Sequence, residues 1–302
     1  MKHTVFTGSA VALVTPMHSD LSVNYEKLGE LIEFHIQNET DAIVVVGTTG
    51  EGSTLTDEEH MKVIEYTVKH VAGRMPVIAG TGSNNTAHAV ELSKQAEALG
   101  ADALLQVTPY YNKCSQKGLF LHFEAVAQAV SLPIILYNVP TRPGLIFYRL
   151  PTPSSAISLI LSRSRKPAGT FPKSPKFCLC AAISWMFIPV TTTRLPRRWR
   201  WGQRVLFLCW PILSLGRLIS FARAILTAAR RKADNLQLRY LELIENLFSD
   251  VNPIPVKRAM NAMGMEVGEC RLPLCAMEEV AEERLLSCLK RYGLIEDAKA
   301  AQ

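Results

Sequence analysis

The sequence predicts an α/β fold, a (β/α)8 TIM barrel with a C-terminal helical subdomain, on three observations. Strand-like and helix-like runs alternate through the first half of the chain. A polar cluster follows the C-terminal end of four successive strand runs, at the face where barrels carry their chemistry. Helical periodicity alone returns after Arg231.

The elements follow in order. Apolar, β-branched runs at Ala10–Thr15, Ala42–Val46, Pro76–Ala79, Ala103–Val107 and Pro133–Leu136 read as strands. Between them, Tyr25–Gln37, Asp57–Val71, Thr86–Leu99 and Gln116–Ala129 carry helical periodicity. Thr56 opens the second helix as a cap, with Glu59 three residues on to complete a capping box. Regular βα units argue for a parallel sheet. Such units also fit an open doubly wound sheet, but no GxGxxG follows the first strand. The clusters Gly47-Thr48-Thr49-Gly50-Glu51, Gly80-Thr81-Gly82, Thr108-Pro109-Tyr110-Tyr111-Asn112 and Tyr137-Asn138-Val139-Pro140 favour the barrel. Any one of them could be a simple turn; four strands ending alike point to a functional face. Leu236–Phe248, Pro255–Met263 and Met277–Tyr292 read as helices, the second with proline in its first turn. The domains are therefore 1–231, the barrel, and 232–302, the helical region.

Composition sets bounds. The chain has 302 residues, nearly half of them apolar, enough for a substantial core. Lys2 is followed by only a short apolar stretch before Pro16, so no secretory signal is expected. No apolar run reaches the ~18 residues of a membrane span. Seven irregularly spaced cysteines suggest neither disulfides nor a zinc site, and a reducing cytoplasmic compartment is expected. The net charge of +6 is uneven. From Ile146 to Arg231 there are fifteen Lys and Arg and no acid, leaving 18 basic against 27 acidic residues elsewhere. All four tryptophans and eight prolines fall in that interval, which has neither a helical nor a strand period. The second half of the barrel is accordingly expected to be disrupted.

The motifs Gly47–Glu51, Thr108–Asn112, Tyr137-Asn138-Val139-Pro140-Thr141-Arg142 and Asn252-Pro253-Ile254-Pro255-Val256-Lys257 resemble those of dihydrodipicolinate synthases, in the same order. The resemblance spans about residues 3–145 and 232–300. It implies a (β/α)8 barrel, usually a homotetramer, that condenses pyruvate with L-aspartate 4-semialdehyde to 4-hydroxy-tetrahydrodipicolinate in the diaminopimelate route to lysine. It implies no cofactor, metal, nucleic acid or membrane. In that chemistry a lysine amine condenses with the keto group, and the iminium acts as an electron sink while pyruvate's methyl carbon becomes a nucleophile. By resemblance Tyr137 moves the protons, with Thr48 and Tyr111 as relay partners, Tyr111 reaching in from a neighbouring subunit. Thr49 and adjacent N–H groups would hold the pyruvate carboxylate. Arg142 would take the semialdehyde carboxylate in its guanidinium fork. Ser53, His60, Asn84 and Tyr110 lie in the stretches that form the family's lysine-inhibitor site. Where inhibited members carry a glutamate this chain has His88, which predicts weak or absent inhibition by lysine.

The family's spacing from Tyr137 leads to Arg165 where the imine-forming lysine belongs. Arginine cannot be deprotonated in a protein and so cannot form an imine. Lys166 is one residue away, a shift that turns a strand side chain to the opposite face. Arg165–Pro172 is what one choice of codons for Lys-Glu-Ala-Ser-Gly-Asn-Ile-Ser, a good family sequence, gives when read one base late. Trp185–Thr193 and Arg197–Ile212 follow from family-like text by the same offset. A frame slip near Leu145–Tyr148 that recovers near Arg230–Ala233 also accounts for the missing acids, because GAN codons shift to ANN. The chain as written is then expected to be inactive. One alternative is another pyruvate-dependent aldolase of the N-acetylneuraminate lyase superfamily, though Thr48-Thr49 and Arg142 favour the synthase. Another is a basic nucleic-acid- or membrane-surface-binding protein, from the cations and aromatics of Leu195–Trp201.

Overall fold

A computed structural model describes residues 5–112, 114–137, 160–161, 205–208 and 230–296. Five strands and four helices alternate through the first 137 residues: β1 Gly8–Ala12, α1 Tyr25–Gln37, β2 Ala42–Val45, α2 Asp57–Val71, β3 Val77–Gly80, α3 Thr86–Ala98, β4 Ala103–Val107, α4 Gln116–Ala129 and β5 Ile134–Tyr137. Then come β6 Ile160–Leu161, β7 Val205–Leu208, and the helices α5 Arg230–Asn246, α6 Ile254–Ala262 and α7 Glu279–Arg291. The sheet order is β6-β5-β4-β3-β2-β1-β7. Every pair from β7 through β5 is parallel, as one intervening helix per step from β1 to β5 requires within that run, and β6 adds a two-residue antiparallel edge. Among the described residues the sheet is an open half-barrel whose edges are β6 and β7.

Each of the first four helices starts where a side chain can take its unpaired amides. Asn24, Asn85 and Ser115 cap α1, α3 and α4, and Thr56 with Glu59 forms the predicted capping box on α2. The strands alternate between two apolar layers. Ala10, Ala42, Val44, Ile78, Ala103, Leu105, Ile135 and Tyr137 pack together on the concave face. Val11, Ile43, Val45, Val77, Leu104, Ile134 and Leu136 face the helices in the larger core. Burial on both faces explains why these strands read as continuous apolar runs.

Three of the boundaries that differ from expectation do so for identifiable reasons. Pro76 has no N–H for the ladder, so β3 begins at Val77, although the Pro76 carbonyl accepts from the Ile43 amide at 3.0 Å. β1 ends at Ala12 rather than Thr15, because the Thr15 hydroxyl turns to donate to the Gly50 carbonyl at 2.6 Å. The α5 helix starts at Arg230, six residues before its apolar stripe, since Arg and Lys propagate a helix without packing.

The C-terminal helices pack on one another, α7 against both α5 and α6. The segment between α6 and α7 runs back over the sheet's C-terminal end. There the Met17 amide donates to the Val267 carbonyl at 3.0 Å, and Gly268, at φ +72°, lies so close to the Met17 carbonyl that no side chain fits. That docking sets the helical region against the loops after β1 and β2.

Candidate active site

Parallel strands place all their C-terminal ends, and so the three clusters after β2, β3 and β4 together with Tyr137, at one end of the sheet. The loop after β2 is the most constrained of them. Val46 and Glu51 hold left-handed backbones, at φ +47° and +53°, which a β-branched residue seldom adopts. Gly50, Gly52 and Gly80 crowd the Val46–Gly47 peptide: a Cβ on Gly52 or Gly80 would lie 2.2 or 2.6 Å from the Val46 carbonyl oxygen. Inside the loop the Gly52 amide donates to Gly47 and the Glu51 amide to Thr48. Thr49 is buried, while Thr48 is partly accessible.

Three contacts fasten this loop to the C-terminal region. Asn252 Nδ2 donates to Thr49 Oγ1 at 3.0 Å. Lys257 Nζ lies 2.7 Å from Glu51 Oε1, with the two side chains 2% and 0% exposed. The Arg271 amide donates to the other carboxylate oxygen at 2.9 Å, and Lys257 also donates to the Glu269 carbonyl. Cys270 sits beside this pair; burial, and then the negative charge of Glu51, push its thiol up to about 12. Farther out, the Arg271 guanidinium grips both oxygens of Glu59, at 2.6 and 2.7 Å, and donates to Leu21 and Thr54 carbonyls.

Arg271 holds the Glu59 carboxyl down at about 2, with help from the Thr56 backbone. A folded value below the unfolded one of 4.5 means stability that is complete above pH 4.5 and lost as pH falls toward 2. With both partners partly solvated, the contribution is about 1–2 kcal/mol. Urea midpoints between pH 5 and 2.5 should therefore fall less steeply in Glu59→Gln than in the unchanged chain. Parallel slopes would show that the Arg271 grip is too loose to matter.

Tyr137 ends β5 on the concave face and is 6% exposed; its carbonyl accepts from the Thr108 amide at 2.9 Å. Tyr111 is left-handed at φ +67° and 88% exposed, so this chain alone does not bury its ring. The loops after β2 and β4 and the end of β5 thus bring Thr48, Thr49, Tyr111 and Tyr137 to one end of the sheet. Arg142, Arg165 and Lys166 lie outside the described residues, as do Trp185–Thr193 and Leu195–Trp201.

Near the N-termini of α2 and α3, His88 Nε2 lies 3.1 Å from both oxygens of Asp57, and its Nδ1 lies 3.3 Å from Ser83 Oγ. The carboxylate neighbouring position 88 therefore already has a partner. His60 bonds to the Gly80 carbonyl at 2.7 Å and burial pushes its pKa down, while Asn84 donates to the Tyr110 carbonyl. Ser53 is exposed. Cys114, Cys270, Cys275 and Cys288 carry no disulfide. Among the described residues no helix is long and apolar enough to cross a membrane.

In the sequence Glu51, Asn252 and Lys257 stand only as motif letters, with nothing to mark a task. A lone lysine two residues after a proline carries no sign that it is buried.

The comparisons agree with this geometry. The sequence model of the dihydrodipicolinate synthetase family matches residues 5–147 and 216–292. The 4-hydroxy-tetrahydrodipicolinate synthase of Acetivibrio thermocellus is 45% identical over 301 residues, covering 98% of this chain and 100% of the relative. That of Thermoanaerobacter pseudethanolicus is 45% identical, with 97% and 99% covered. Among solved structures, the pyruvate complex of the chloride-inhibited dihydrodipicolinate synthase from Acinetobacter baumannii is 36% identical with a TM-score of 0.83, covering 97% of this chain and 100% of that one. The dihydrodipicolinate synthase from Aquifex aeolicus is 36% identical with a TM-score of 0.78 and the same coverage.

Proposed function

Because the chain belongs to the dihydrodipicolinate synthetase family, we propose that its site is laid out to condense pyruvate with L-aspartate 4-semialdehyde to 4-hydroxy-tetrahydrodipicolinate, in lysine biosynthesis, and that as written the site lacks its imine-forming amine. The observation that carries the first half is the gathering of Thr48, Thr49, Tyr111 and Tyr137 at the C-terminal end of the parallel sheet. In this reading Tyr137 gives and takes protons, and Thr48 and Tyr111 relay them. Thr49 and neighbouring backbone N–H groups hold the pyruvate carboxylate, and Arg142 the semialdehyde carboxylate. A ring as exposed as that of Tyr111 suits a residue completed by a second subunit, which supports a homo-oligomer, a tetramer by family habit. Unpaired cysteines suit the cytoplasm.

The second half rests on Arg165 at the lysine's place and on the interval 148–215 left between the two matched blocks. The alignment with the Acetivibrio thermocellus relative covers 98% of the chain, most of this interval included. A slip of one base over about 146–231 accounts for both the acid-free composition and the lost lysine. Incubating the full chain with pyruvate and borohydride, followed by peptide mass spectrometry, should give no pyruvate adduct on any lysine. A stable adduct at Lys166 would refute the claim of inactivity. Nucleotide sequencing across codons 140–235 tests the slip itself: codons uninterrupted and in register with both flanks would end it.

A further inference from the structure

We propose that Asn252 and Lys257 are positioning residues, which act through Thr49 and Glu51 to hold the loop after β2 in the shape that presents Thr48 and Thr49 to a substrate carboxylate. The inference rests on the reading of Thr49 as a carboxylate ligand. Its other premises are geometric.

The loop does not adopt its shape by local preference. Val46 and Glu51 are both left-handed without being glycine, and such backbones persist only where the surroundings over-determine them. Gly50, Gly52 and Gly80 supply the room, since each lies where a Cβ would meet the Val46 or Leu13 backbone. Room alone does not hold a strained loop. The restraint comes from outside it. Thr15 donates to the Gly50 carbonyl, Asn252 to Thr49 Oγ1, and Lys257 and the Arg271 amide each take one oxygen of Glu51. One contact falls on the residue read as the ligand and two on the left-handed residue two positions later.

The chemistry of the pair points the same way. Two charges removed from water are a poor means of gaining stability, because an apolar pair of similar size often does as well or better. What an ion pair adds is direction. Lys257 divides its protons between Glu51 Oε1 and the Glu269 carbonyl, and Glu51 divides its oxygens between Lys257 and the Arg271 amide. The carboxylate can then occupy one orientation, and with it the Glu51 backbone. Asn252 opens the turn into α6, and Lys257 lies within that helix, so both act from one rigid element.

The test separates position from bulk stability. The double variant E51Q/K257M removes both buried charges and keeps an acceptor for the Arg271 amide. It should melt within a few degrees of the unchanged chain. Its Glu51 and Gly52 position amides, which bond inside the loop, should exchange about tenfold faster while those of α1 stay as they were. Calorimetric titration with pyruvate should show about tenfold weaker binding. Loop amides and pyruvate affinity both unchanged would overturn the proposal and leave the pair as cement between two regions. If the double variant does not fold, Asn252→Ala, which strands no charge, takes its place with the same two outcomes. If the unchanged chain does not bind pyruvate, as loss of the imine-forming amine alone could cause, the exchange rates decide the inference, and unchanged loop amides overturn it.

Discussion

Replacing Lys257 alone by methionine is expected to destabilise the fold by about 3–5 kcal/mol, the range seen when one member of a buried ion pair is removed. Methionine matches the length of the lysine stem, so almost none of the loss comes from a cavity. The loss comes from Glu51, whose side chain is fully buried and would keep only two neutral donors, the Arg271 amide and the Cys270 thiol, for its charge. Water cannot reach it without opening the seam between the loop and the segment before α7. Urea unfolding at neutral pH reads the effect directly. Adding Glu51→Gln to the same chain should recover most of it, because the neutral amide no longer demands a counter-charge. A single-variant loss below about 1 kcal/mol would mean that the pair is open to water, contrary to its geometry.

Gly80→Ala should cost about 2–4 kcal/mol, at the upper end of what overpacking a dense site costs. The added methyl would lie 2.6 Å from the Val46 carbonyl oxygen and 2.9 Å from the Gly47 nitrogen, and both are backbone, which cannot swing aside. To make room the peptide after β2 has to move, carrying Thr48 and Thr49 with it. Gly47→Ala is the matched control. Its new Cβ meets only the Leu105 and Val44 side chains, at 3.7 and 3.8 Å, so it should cost under about 1 kcal/mol. Comparable midpoints for the two variants would show that the loop yields easily and that crowding around Val46 does not shape it.

The two results test different halves of one arrangement, the anchor behind the loop and the space beneath it. Neither was visible at the same depth in the chain's letters. Helices α1, α2 and α4 begin and end where their periodicity and caps say, because both signals come from residues within two turns of one another. The strands are legible in composition to within one to three residues at each end, and at Pro76 and Thr15 one missing N–H and one long-range hydroxyl bond decide the boundary. Tyr137, Thr48 and Thr49 could be chosen as site residues because they sit directly after strands. Strand direction alone then sends them to the same end.

By itself the sequence determined the family, the alternation of strand and helix, the end of the sheet that carries the chemistry, and the break in composition between Ile146 and Arg231. Only the tertiary structure decided that Lys257 is buried against Glu51, 206 residues away, and that Asn252 reaches Thr49 across 203. The physical reason is range. Propensity, capping and hydrophobic period act between neighbours and leave a mark at fixed spacing. A buried ion pair forms wherever two remote surfaces happen to meet, and its partners stand in the sequence as one more glutamate and one more lysine.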